Sequence, residues 1–130
     1  MKKLFSLMAV LLVVAACSSQ PESFKGKDYK MVDAMNGADI TLAFSAKDNR
    51  FFGKVVNRYF GSYTTEGDKI EFGPAGATMM MGPQPLMEAE QNYLGSLPQV
   101  KTFALDGKKL TLKMADGKEL VFEETGPVKE

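Results

Sequence analysis

The sequence predicts an α+β fold, mainly antiparallel β: a curled sheet or partial barrel with one helix packed against it. Three observations lead there. Ile40, Leu42 and Phe44 alternate with Asp39, Thr41, Ala43 and Ser45, the period-2 pattern of a strand with one buried face. Turn residues break the chain at short intervals, at Asn36-Gly37, Lys47-Asp48-Asn49, Glu66-Gly67-Asp68, Asp106-Gly107 and Asp116-Gly117. One stretch alone, residues 83–98, has helical spacing, so the order is strands, one helix, then strands. Connections this short leave no room for βαβ crossovers, which excludes a parallel sheet.

The chain opens with Lys2-Lys3, an apolar run over 4–14, and Ala15-Ala16 before Cys17. A cationic start, an apolar core of roughly 7–15 residues and small residues before the cut make a secretory signal. The run is too short to span a bilayer, which takes about 20 residues. A cysteine directly after the small residues resembles the lipobox of bacterial lipoproteins. That resemblance implies cleavage before Cys17 and acylation of its thiol with diacylglycerol, palmitate being the usual chain, so that the protein is held in the cell envelope. Ser18 in the next position implies the outer membrane, facing the periplasm. The expected organisation is a signal peptide over 1–16, a tether over 17–28, one domain over 29–123 and a frayed tail over 124–130. The tether reading rests on the Ser, Pro, Gly and charged residues of 18–28, where Phe24 is the only large apolar side chain.

Beyond the tether, 29–32 reads as a short strand ended by Asn36-Gly37, and 39–45 as the alternating strand. Residues 51–56 form the next strand, with Gly53 marking a bulge or a close backbone approach. Residues 58–65, rich in aromatic and β-branched types, and the short run around Ile70 and Phe72 follow. Pro83 and Pro85 suit the first turn of a helix. Leu86, Ala89, Tyr93 and Leu97 then recur on one face, and Pro98 stops the helix after about three turns. Glu88 and Glu90 read as a solvated face placed well for the helix dipole. Strands over 100–105, 109–114 and 120–122 close the domain. A two-residue Asp106-Gly107 turn pairs Phe103 with Leu110. A three-residue loop, Ala115-Asp116-Gly117 with Gly117 left-handed, pairs Leu112 with Leu120 and Leu110 with Phe122. The alternative two-residue turn would throw Leu120 and Phe122 onto the wrong face.

Composition narrows function by exclusion. Histidine is absent and Cys17 is the sole cysteine. The commonest general base, the commonest metal ligand and every Ser-His or Cys-His pair are therefore missing, and no enzyme, cofactor or metal centre is expected. Removing the two signal lysines leaves 16 − 2 = 14 basic against 16 acidic side chains, a net of −2. This argues against nucleic acid as a partner. A Ser62 dyad with Lys54 or Lys69 lacks the local pattern of a nucleophile elbow. Met79, Met80 and Met81, with Met87, could present thioethers to Cu(I). Adjacent residues on a strand point to opposite faces, however, and unbranched Met is also the usual filler of irregular gaps.

At Asn57-Arg58-Tyr59-Phe60-Gly61-Ser62-Tyr63 the chain resembles the META domain, the heat-shock protein HslJ-like family, which carries a Cys-Asn-x-x-x-Gly-x-Tyr stretch on adjoining strands. Asn57, Gly61 and Tyr63 fall at the matching positions. The family's Thr-x-Met-Ala-Cys segment and following acidic helix are matched by Thr78, Met80 and Glu90. Where the family has its two cysteines this chain has Val56 and Gly82, or Met81 if the register shifts by one. The joint loss implies that the two positions face each other. The resemblance implies an antiparallel α+β fold and an envelope protein tied to stress. The partner is then the membrane through the N-terminal lipid, and an envelope protein or a small molecule. Asn57, Arg58, Tyr63 and Met80 are the candidate ligand-binding residues. Against this stands the structural role of Asn at a bend, where it bonds backbone, and of aromatic strand residues, which are usually core.

Overall fold

The computed structural model describes residues 24–33 and 35–129. Cys17 and the expected signal lie outside the described residues. The strands are β1 (Lys27–Met31), β2 (Thr41–Phe44), β3 (Arg50–Lys54), β4 (Arg58–Glu66), β5 (Lys69–Phe72) and β6 (Gly76–Ala77). Helix α1 (Gln84–Ser96) follows, then β7 (Val100–Asp106), β8 (Lys109–Met114) and β9 (Glu119–Pro127). Every pairing is antiparallel, in the order β3-β2-β1-β9-β8-β7-β5-β4, and β3 pairs back onto β4. The sheet therefore closes into an eight-stranded barrel with α1 packed against it. Short β6 lies along β4 beyond the end of β5.

Closure explains two departures from the expected organisation. Residues 24–28 are not tether: Phe24 is fully buried and Lys27 already pairs in β1. Its ring meets Phe44, Phe103 and Tyr63 at centroid distances of 4.3, 5.0 and 5.7 Å and plugs one barrel end. Nor does the tail fray at 124. β9 runs on to Pro127, pairing with β1 across a bulge, and the Val128 amide still donates to the Gly26 carbonyl at 2.9 Å. A barrel needs a partner for each edge of β1, and this tail is the strand available.

The inward row is the one that alternation predicts. Tyr29, Met31, Ile40, Leu42, Phe44, Phe51, Tyr59, Tyr63, Ile70, Phe72, Leu110, Leu112, Leu120 and Phe122 are all buried. Ala43 and Ser45 are buried as well, although they fall on the polar phase of the pattern. β3 ends at Lys54, two residues sooner than expected, and Gly53 marks a close approach. A Cβ there would overlap the Thr41 carbonyl oxygen and come within 2.6 Å of the Tyr59 hydroxyl.

The β8–β9 register is the expected one, Leu112 opposite Leu120 and Leu110 opposite Phe122, with Gly117 at φ 94°. The β7–β8 register is not. Phe103 faces Leu112 rather than Leu110, because the central turn residues are Gly107 and Lys108. Gly107 has φ 62° while Asp106 does not have positive φ. The glycine thus takes the first central position, as a II′ turn requires, and moves the tip by one residue on each strand. The shift in pairing is two residues, so the buried face is unchanged.

Helix α1 begins after Pro83, carries Pro85 in its first turn, and passes into a 3₁₀ turn (Leu97–Gln99). It covers the barrel end opposite Phe24. The Tyr93 ring packs on Tyr59 and Phe122, at 5.5 and 6.3 Å. The Tyr59 and Tyr93 hydroxyls are 2.6 Å apart, and Tyr59 also donates to the Thr41 carbonyl. Both barrel ends are thus filled by aromatic side chains.

Candidate functional site

The residues singled out in the sequence divide between an interior clamp and an outer face. Asn57 lies on the β3–β4 connection and is buried. Its Nδ2 donates to the Glu90 Oε2 at 2.8 Å and to the Met80 carbonyl at 3.2 Å. Its Oδ1 accepts from the Thr78 hydroxyl at 2.9 Å and from the Met80 amide at 2.5 Å. Glu90 Oε1 accepts the Val56 and Asn57 amides at 3.0 and 2.6 Å. Glu90 is thus not part of a solvated face: it is 5% exposed and ties α1 to the connection. Buried backbone amides need acceptors, and these have no strand partner where β3 gives way to β4. The clamp gathers Asn57, Thr78, Met80 and Glu90 from three separate segments, and it engages both polar side-chain atoms of Asn57. Tyr63 is equally internal, its ring against Phe24, Phe44 and Phe72.

Beside the clamp, a Cβ built on Gly82 lies 3.7 Å from the Val56 Cβ and 2.9 Å from one of its methyl carbons. The first distance is that of a disulfide. Positions 56 and 82 face each other, and Met81, 89% exposed, is not the counterpart.

Arg58 belongs to the outer face. Phe52 and Phe60 stand opposite each other across β3 and β4, pointing away from the core. Lys54 pairs with Arg58 on one side of them and Arg50 with Ser62 on the other. The two phenylalanines and the three cations, together with Ser45 and Asp48, line an open hollow of about 500 Å³. β6 extends the same face. Gly76 pairs with Phe60, and a Cβ on Gly76 would lie 2.9 Å from the Phe60 ring. The Thr78 amide bonds the Arg58 carbonyl at 3.0 Å. From there Met79, Met80 and Met81 run out into solvent, at 95%, 58% and 89% exposure. They are not gap fillers, because the clamp holds the Met80 backbone while all three side chains are largely exposed. Sequence reasoning missed Arg50 and Phe52; it weighed Lys54 only for a dyad with Ser62, and set the possible binding face of Tyr59, Phe60 and Tyr63 below a core role. The available signal was phase: with Phe51, Tyr59 and Tyr63 inward, Phe52 and Phe60 must be outward, where strands are usually polar.

Among the described residues the groups with shifted proton affinity are three phenols and one carboxyl, and burial is the main cause in each. Burial pushes the Tyr59 and Tyr93 phenols well above their ordinary value, as it does Tyr29, where nearby Glu124 adds to the effect. Burial also raises the Asp28 carboxyl, against its hydrogen bond from the Tyr29 amide and the charge of Lys129. Among the described residues no three His, Cys, Asp or Glu side chains gather as a metal site. No described helix is long and apolar enough to cross a membrane.

Comparison with known proteins agrees with this geometry. The fold matches an NMR structure of a protein from Burkholderia xenovorans with a TM-score of 0.70 at 23% identity, covering 81% of this chain and 86% of that one. A second NMR structure matches with a TM-score of 0.63 at 17% identity, covering 81% and 94%. A crystal structure of a duf4847 family protein from Bacteroides vulgatus matches at 0.61 and 13% identity, covering 82% and 98%. At these identities the likeness is one of fold, and none of the descriptions names an enzyme. No curated protein matches the sequence. Residues 20–127 match the META domain, and the chain belongs to that family.

Proposed function

We propose that the protein is a lipid-anchored envelope protein whose META domain acts by non-enzymatic binding through its outer surface, as a binding or structural module of the stressed envelope. One observation carries the surface reading. Among the described residues aromatic side chains close both barrel mouths, Phe24 at one and Tyr93 of α1 at the other, which favours recognition from outside the barrel. The surface we assign to recognition is the face of Phe52 and Phe60 with its three cations. The anchor is supported by the order Lys2-Lys3, apolar run, Ala15-Ala16, Cys17. A small-molecule pocket beside Met79, Met80 and Met81 finds no support in their exposure. Cu(I) capture by those thioethers is the second reading, favoured by their projection into solvent; competition against a Cu(I) chelator tests it. For the leading reading, intact mass and membrane fractionation are compared with Cys17→Ala. Acylated mass and detergent-dependent solubility, both lost in the variant, are expected. A soluble protein with an unmodified Cys17 thiol would overturn the anchor.

A further inference from the structure

We infer that the outer face of β3, β4 and β6 docks on an anionic lipid bilayer, so that the anchored barrel lies on its side with residues 79–81 against the acyl boundary. The inference rests on the acylation of Cys17 proposed above.

Three observations converge on it. The first is charge: Arg50, Lys54 and Arg58 surround the two outward phenylalanines, with Asp48 alone among acids lining the hollow. This positive face sits on a mature chain of net charge −2, and cations near a surface of anionic lipid are attracted over about a Debye length. The second is the apolar part. Phe60 is 47% exposed, and Met79 and Met81 are almost wholly so. They form an exposed apolar patch rimmed by cations, the combination that interfacial segments use. Unbranched methionines adapt to a fluid surface without needing a shaped partner. The third is where the chain leaves the barrel. Gly26 lies against Ala46, a Cβ there being 3.3 Å from the Ala46 Cβ, and the Lys25 ammonium donates to Asn49 at 3.1 Å. The N-terminal chain therefore leaves beside the β2–β3 turn, at the Ser45–Asp48 end of the hollow. From Phe24 back to Cys17 is seven residues (24 − 17 = 7), a span of at most about 25 Å when fully extended. An anchor that short keeps the barrel at the headgroups and places this side within reach of them.

The test uses the acylated protein in vesicles. Met79→Cys and, on the opposite side of the barrel, Lys113→Cys are each labelled with an environment-sensitive fluorophore; Cys17 is blocked by its lipid and is the only other cysteine. In vesicles of phosphatidylethanolamine and phosphatidylglycerol the emission at 79 is expected to shift to the blue while that at 113 does not. The shift should fade with added salt, and with Arg50→Glu/Lys54→Glu/Arg58→Glu, while the protein still floats with the vesicles. The salt series decides the matter if the triple variant fails to fold. Flotation with identical emission at 79 and 113 overturns the docking face and leaves the anchor standing. So does a shift that phosphatidylcholine vesicles reproduce in full, since the cations would then play no part. A shift that needs added envelope proteins assigns the face to a protein instead. Failure to float overturns both the anchor and the docking face.

Discussion

Joining positions 56 and 82 by a disulfide should stabilise this domain strongly, because the geometry is already in place. Val56→Cys/Gly82→Cys puts two Cβ atoms 3.7 Å apart, within the disulfide range. The bridge would close a loop of 82 − 56 = 26 residues. In the chain-entropy account, such a loop removes about 12 cal/mol/K from the unfolded ensemble, or about 3.5 kcal/mol at 25 °C. That corresponds to a rise in melting temperature of roughly 10–20 °C for a domain of this size. The assay compares oxidised and reduced forms of the same double variant in a Cys17→Ser background, by thermal melts and urea titration. Comparing two redox states of one chain removes the effect of losing the Val56 methyls. Gly82→Ala alone sharpens the result. Its Cβ would press to 2.9 Å from a Val56 methyl, an overpacking that costs about 1–3 kcal/mol, and adding Val56→Ala should relieve it. A double variant that stays reduced under mild oxidant, or whose oxidised form melts no higher than its reduced form, would refute the reasoning.

Glu90→Ala should cost roughly 3–5 kcal/mol in urea titration, because it strands the Val56 and Asn57 amides and leaves Asn57 Nδ2 with only the Met80 carbonyl; Glu90→Gln should lose about 1–3 kcal/mol, since its amide nitrogen faces Asn57 Nδ2 donor to donor. A loss under about 0.5 kcal/mol for Glu90→Ala would dismiss the clamp. Phe24→Ala should cost about 3–5 kcal/mol by opening one barrel end, where a residue of a loose tether would cost nothing measurable. The buried phenols set an alkaline limit. Their folded values lie above the unfolded value of about 10, so the neutral form is favoured in the folded state. Stability is therefore held below about pH 10 and falls as pH rises beyond it, by about 1.4 kcal/mol per pH unit for each phenol. Tyr93→Phe should give a shallower fall in urea titrations between pH 9 and 11, roughly, and an unchanged slope would contradict this account.

The residues that carried the family resemblance are chiefly a folding device. Asn57, the Thr78–Met80 segment and Glu90 lie 21 and 10 residues apart along the chain, and no local pattern says that they meet. Taken singly, three of them had an ordinary reading, a turn Asn, a gap-filling Met and a solvated Glu, and Thr78 had none beyond the family match. Only the crossing of α1 over the β3–β4 connection gives all four one purpose, which is to satisfy backbone amides that the strand ladder leaves unpaired.

By itself the sequence determined what local physics decides. Period-2 alternation fixed the buried row from Ile40 to Phe44, helical spacing with Pro83 and Pro98 fixed α1, and the glycine position together with the apolar phase fixed the β8–β9 register. Tertiary structure decided what depends on distant segments. It closed the sheet through β3 on β4, recruited Phe24 and the 124–127 segment that polar composition had marked as loose, and sealed Glu90 inside. It also turned Phe52 and Phe60 outward as a pair among Arg50, Lys54 and Arg58. The reason is the same throughout. Alternation says which side chains share a face, but whether a face meets core, solvent or another strand depends on closure, and closure is a property of the whole barrel.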